Sequence, residues 1–262
     1  MMRVHIWKTI VFLLVATSIP CCAESAFVAV FIDARTEARL GVFPYDRAVS
    51  AKALLAFEKF GAKGVVMKFF FDQPKGAGDD TLANAMTKLP VVLQARCDDT
   101  EAKPNPLDAR FSMAVTSQML FAVACKAGWI PLPKLQKPAA DVCFIDRPAG
   151  VDVVPMLERY QDRAVKSLYG CALALAGKSM PTADRSGLLK VDLRKSPRYE
   201  VISLLDVLDG KVDRARIQGK VAVFGYEGKL ADMFDTPIGR LSAHHAFMAN
   251  LLALEAGTTG QK

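Results

Sequence analysis

Acidic residues that close apolar runs are the first candidates for chemistry in this sequence. Asp33 closes Ala26 to Ile32 (AFVAVFI), Asp72 follows Val65 to Phe71 (VVMKFFF), Glu227 follows Lys220 to Phe224, and Asp232 lies in the next loop. If these runs are strands of a parallel sheet, the acids fall at or beyond carboxyl ends, where open α/β sheets hold ligands. The bland alternative for each is a turn or helix-cap residue. Arg47 follows Phe43-Pro44-Tyr45 and could fork onto Asp33 or a loop carbonyl, or capture an anion. Its structural role is expected to come first. Lys68 has apolar neighbours on both sides, so a central strand would carry its ammonium into the domain. Burying an unpaired charge is costly, and Asp33 is the expected partner in a Lys68–Asp33 ion pair. That pair would fill the position by itself and weigh against small-cation sensing. On an edge strand Lys68 would instead snorkel to water.

Enzyme motifs are harder to assemble. No Gly-x-Ser-x-Gly is present, so a hydrolase nucleophile elbow is missing. Gly177-Lys178-Ser179 imitates the end of a phosphate loop but follows a helical pattern and reads as a C-cap. Gly76-Ala77-Gly78 lacks the third glycine of a dinucleotide loop, where Thr81 stands, and reads as a turn. His244 and His245 are adjacent, about 100° apart on a helix, and suit a helix-start or surface role better than catalysis. No cofactor is implied. Cys97, Cys125, Cys143 and Cys171 contain no Cys-x-x-Cys pair, so a zinc set is not expected. In an oxidising compartment they read as one or two disulfides or buried thiols, and their spacing does not choose among the connectivities.

The start of the chain bears on that compartment. Arg3 and Lys8 precede the apolar run Ile10 to Ala16, then Thr17, Ser18, Pro20 and the small residues Cys21-Cys22-Ala23. This has the form of a signal peptide over residues 1–23, too short for the roughly 20 apolar residues of a bilayer span. The expectation is a periplasmic or secreted protein with no membrane span after cleavage; the minority alternative is an uncleaved N-terminal anchor. The 262 residues are 52% hydrophobic and 23% charged, an ordinary globular composition. A net charge of +7 is spread along the chain without a basic stripe, which argues against nucleic acid.

The elements that must position these residues alternate. Strand-like runs cover Ala26 to Ile32, Val65 to Phe71 and Leu89 to Ala95, with helical patterns at Asp46 to Phe60 and Asp79 to Lys88. A helix is expected between Phe111 and Ala127, a strand at Val151 to Leu157, and a helix from Arg163 to Ala176. Strand Leu188 to Leu193, helix Ser203 to Leu208, strand Lys220 to Phe224 and a helix from about Ser242 to Glu255 complete the pattern. The rhythm predicts one compact α/β domain over residues 24–257. Its central sheet should be largely parallel or mixed, with helices on both faces, before a disordered tail at 258–262.

Within that frame Val28 to Arg47 (VAVFIDARTEARLGVFPYDR) resembles the opening of the type-two CHASE family. Phe60-Gly61-Ala62, Phe71-Asp72-Gln73-Pro74, Ile217 to Gly225, Leu230-Ala231-Asp232, Thr236-Pro237-Ile238-Gly239 and Ala249-Asn250 continue the pattern in order. The likeness runs from about Ala26 to Leu254 and adds Asn250 to the expected ligand set of Asp33, Arg47, Asp72, Glu227 and Asp232. Such domains are the extracytoplasmic sensors of cyclases, histidine kinases and Ser/Thr kinases. The chain departs from the pattern at Ala34, where a second Asp is usual, and at Met67-Lys68, where Phe-Asp is usual. The resemblance implies an exported, non-enzymatic sensory or ligand-binding module for an unknown small ligand, acting through a separate membrane-bound cyclase or kinase. The alternatives are a secreted α/β enzyme such as a hydrolase, and a degenerate structural or interaction domain. N-terminal sequencing of protein from a periplasmic extract should begin near Glu24; intact Met1 in a membrane fraction would refute cleavage.

Overall fold

The computed structural model describes residues 24–147, 150–179, 181–183 and 186–257; the expected signal peptide and tail lie outside them. Strand β1 (Phe27–Ile32) is six apolar residues, all buried, as a strand covered on both faces requires. Asp33 ends it and caps α1 (Ala34–Leu40), its carboxylate accepting the Thr36 amide at 2.8 Å. Asp46 caps α2 (Arg47–Lys59) in the same way. Next come β2 (Gly64–Met67), α3 (Ala77–Met86) and β3 (Val91–Cys97).

The middle of the chain builds short elements: β4 (Ser112–Ala114), β5 (Ala124–Cys125), β6 (Gly128–Trp129) and α4 (Pro133–Gln136). It rejoins the main sheet at β7 (Asp141–Phe144), then forms β8 (Val153–Pro155), β9 (Leu157–Tyr160) and β10 (Arg163–Lys166). Ser167 caps α5 (Leu168–Ala176), and Gly177 ends it in the left-handed conformation at φ 77°, a C-cap as expected. The remainder is β11 (Leu188–Lys190), β12 (Val201–Ser203), α6 (Leu204–Leu208), β13 (Val221–Tyr226), the hairpin β14 (Met233–Thr236) and β15 (Gly239–Ser242), and α7 (Ala243–Glu255).

The main sheet runs β12-β1-β13-β2-β3-β7 in parallel, and β6 pairs antiparallel with the last residues of β3. The fold class is therefore the expected α/β, with a mostly parallel sheet. Pleat alternation sorts its side chains. Val30, Ile32, Met67, Leu93 and Phe224 face α2, α3 and α6, while Phe31, Val66, Val92 and Val223 face α5 and α7. No helix among the described residues is long and apolar enough to cross a membrane.

Two expected helices differ in the structure. Residues 112–125 form short strands and loops, because Val115 and Leu120 are exposed and share no buried helical face. Of the helix expected from Arg163, the first four residues are strand β10, paired with both β9 and β4. Strand β2 also stops at Met67, four residues early, and leaves Lys68 to Phe71 as the loop beyond the sheet edge.

The four cysteines form Cys97–Cys125 and Cys143–Cys171. The first ties the small sheet β4-β10-β9-β5 to the end of β3, and the second ties α5 to β7. Each closes a separation of 28 residues, for which loop-closure entropy gives about 3.6 kcal/mol. The double variant Cys143→Ala/Cys171→Ala should lose roughly that stability in urea unfolding at unchanged pH.

Candidate functional site

Beyond the carboxyl ends of β1, β13, β2, β3 and β7 lies a cavity of about 670 Å³. Its floor is made by residues at or just past those ends, among them Ile32, Tyr226, Lys68 and Arg147, and by Gln94 within β3. Its walls come from the α1–α2 loop, the start of α2, strand β14 and the first residues of α7.

Lys68 is 4% exposed. Its amide extends the sheet by donating to the Phe224 carbonyl at 2.9 Å. The pleat then sends the side chain toward α7, where Nζ donates to Gln94 Oε1 at 3.2 Å and sits 5.3 Å from the Phe247 ring centre. The Lys68–Asp33 ion pair does not form. Strand β13 lies between β1 and β2, and Asp33 is occupied on its own side by Thr36 and the Ser203 hydroxyl at 2.9 Å. Neither the edge-strand snorkel nor the acid partner describes Lys68, which sits one residue past the end of a central strand with a neutral partner. Burial, and then the Arg147 charge, push its pKa down to about 7.

His244 sits across from it at the start of α7. Its Nδ1 accepts the Tyr226 amide, so the neutral ring carries its proton on Nε2. Gly225 makes this approach possible, since a Cβ there would lie 2.5 Å from Nδ1. Burial holds the His244 pKa well below its usual value, and Lys68, Arg147 and His245 push the same way. Arg147 stacks on Phe234 at 4.3 Å and reaches the Ala243 carbonyl at 3.4 Å.

Arg47 also lines the cavity. Its guanidinium donates to Asp79 at 3.3 Å and to the Gln73 carbonyl at 3.0 Å, and lies 4.4 Å over Phe71. The loop carbonyl was expected; the carboxylate is Asp79, where Asp33 had been the candidate. Asp72 and Asp232 line this cavity too. Asp33 and Glu227 instead line a second hollow of about 180 Å³ beside β12, and Glu227 bonds His245 Nε2 at 2.6 Å. Asn250 is at neither place: its amide donates to the Val151 and Ala246 carbonyls inside α7's packing.

Two residues of consequence were not among the sequence candidates. Glu37 accepts the Tyr226 hydroxyl at 2.9 Å and the Phe43 and Lys229 amides at 3.3 Å each, so it holds both the α1–α2 loop and the loop after β13. Burial raises its pKa, but these bonds outweigh that and lower it. A Cβ on Gly228 would meet the Glu37 carboxylate at 2.5 Å. Glu158 is fully buried beside Asp146, and burial and that neighbour push its carboxyl well up. Possible metal ligands gather around Cys97 and around Cys143 and Cys171, but those sulfurs are bonded in the disulfides.

The cavity lies over the carboxyl edge of the parallel sheet, the place where open α/β sheets hold ligands. A CHASE2 domain matches residues 7–259, nearly the whole chain, and the chain belongs to that family. CHASE2 domains are extracytoplasmic sensory domains associated with cyclases and kinases, and the two disulfides fit an oxidising compartment. No curated protein and no solved structure matches the chain.

The Lys68 pKa has a stability consequence. It falls from the ordinary 10.5 to about 7, so between those values the unfolded chain binds more protons and stability rises with pH. Below pH 7 both states are charged and the cost is constant. The groups facing Lys68 are Gln94, Phe247, Arg147 and His244. Relative to Lys68→Met, the parent should gain about 3 kcal/mol from pH 7 to 9.5 at 1.36 kcal/mol per pH unit. A constant offset between the two in urea titrations over that range would show an unshifted lysine.

Proposed function

We propose that this chain is an exported, non-enzymatic sensory domain that captures a small molecule in the large cavity and reports it by contact with a separate membrane-bound cyclase or kinase. The observation that carries the reading is the cavity itself. Its 670 Å³ lie within the roughly 300–1,000 Å³ of small-molecule sites, at the end of the sheet where α/β folds bind ligands. Its walls belong to separate segments, the α1–α2 loop and β14, so a ligand between Phe43 and Phe234 alters the outer surface that a partner would meet.

A hydrolytic reading finds less support. The His245 ring is bonded to Tyr199 and Glu227, and the His244 Nδ1 to a backbone amide. Among the described residues neither ring is bonded to a serine or cysteine, the pairing a covalent hydrolase needs.

Ser50 lines the cavity from α2, so Ser50→Trp should fill it. In a thermal-shift screen of small metabolites, at least one compound at about a hundred times its Kd should raise the parent Tm by about 5 °C or more. The same compound should leave Ser50→Trp unmoved. A screen in which every stabilising compound acts equally on both proteins would place ligand binding elsewhere and sink the reading.

A further inference from the structure

We propose that the ligand is a small organic anion, seated with its charged head against Lys68, Arg147 and the Nε2–H of His244 and its apolar body among the cavity's aromatic rings. The inference rests on the cavity being the ligand site and adds the chemistry of the ligand.

Three donors with no anion among them carry the argument. Lys68 has three N–H donors, is 4% exposed and bonds one neutral amide oxygen. Arg147 has no carboxylate within ion-pair distance among the described residues and meets only the Ala243 carbonyl and the Phe234 ring. His244 spends Nδ1 on the Tyr226 amide, leaving the other nitrogen to donate. The start of α7 adds to the field, since its first two residues, Ala243 and His244, line the cavity and a helix N-terminus is positive.

Carboxylates that face the cavity do not neutralise this set. Asp72 is bonded by the Gln73 side chain at 2.9 Å, Asp146 accepts the Cys97 amide at 2.8 Å, and Asp232 stands exposed at the rim. A cation would therefore meet like charge at the floor, whereas an anion removes the penalty of the buried ammonium. The lowered Lys68 pKa agrees, because an arriving anion would draw a proton onto the amine at neutral pH.

Volume and lining define the rest of the ligand. At about 30 Å³ per water, the 670 Å³ hold some twenty waters, so an inorganic oxyanion would leave most of the cavity wet. Phe43 packs against Phe69 at 5.4 Å and Tyr226 at 4.8 Å, and Phe234 lines the cavity from β14 beside Arg147. An aromatic or aliphatic body fits between these faces.

Two fluorescent probes that share an aromatic body separate the possibilities: the sulfonate 1-anilinonaphthalene-8-sulfonate and the neutral N-phenyl-1-naphthylamine. The folded parent at pH 6.5 should bind the sulfonate at one saturable site, at least tenfold tighter than the neutral probe. Lys68→Met and, separately, Arg147→Gln should each weaken the sulfonate at least tenfold and leave the neutral probe within twofold; Ser50→Trp should abolish both. Equal affinity for the two probes would overturn the anion and leave the cavity as the ligand site. Undiminished sulfonate binding by both charge variants would also overturn it. If the parent bound neither probe, the cavity reading would fall as well.

Discussion

A parallel sheet buried on both faces tolerates few polar side chains along its length, so apart from Gln94 within β3 its chemistry gathers at the edge where the strands stop. Asp33 follows the last residue of β1, Lys68 that of β2 and Glu227 that of β13, while Ile145 to Arg147 follow β7. Every candidate group of the floor is thus held by a strand that cannot shift register without exposing its apolar face. The same confinement makes Lys68 expensive. It is placed one residue too early to escape, under α7 and next to Gln94.

Much of this was legible. Continuous apolar runs such as AFVAVFI marked buried strands, Asp46 and Gly177 marked helix boundaries, and the ordered motifs led to the family. Pairing order was not legible, because β13 enters the sheet between β1 and β2 from near the other end of the chain. That insertion separates Asp33 from Lys68 and sends Asp33 and Glu227 to a different hollow from Asp72 and Asp232. The small sheet was hidden for another reason. Strands of two to four residues are too short to show a period, and their partners come from both sides of β7.

Two groups of the site, His244 and the overlooked Glu37, act through backbone. His244 reads a main-chain amide, and Glu37 reads two with a tyrosine hydroxyl between them. Neither contact leaves a spacing or a partner type to search for. The glycines opposite them, Gly225 and Gly228, were the available trace, since each marks a place where a side chain would collide with the incoming group.

Glu37 gives the rim a thermodynamic property of its own. Two loops separated by nearly two hundred residues hang from one carboxylate, so their fluctuations are not independent variables. Stilling either loop stills the anchor, and the second loop then settles with less conformational entropy left to lose. A contact that ordered either loop would thereby lower the cost of ordering the other, with no change of shape required.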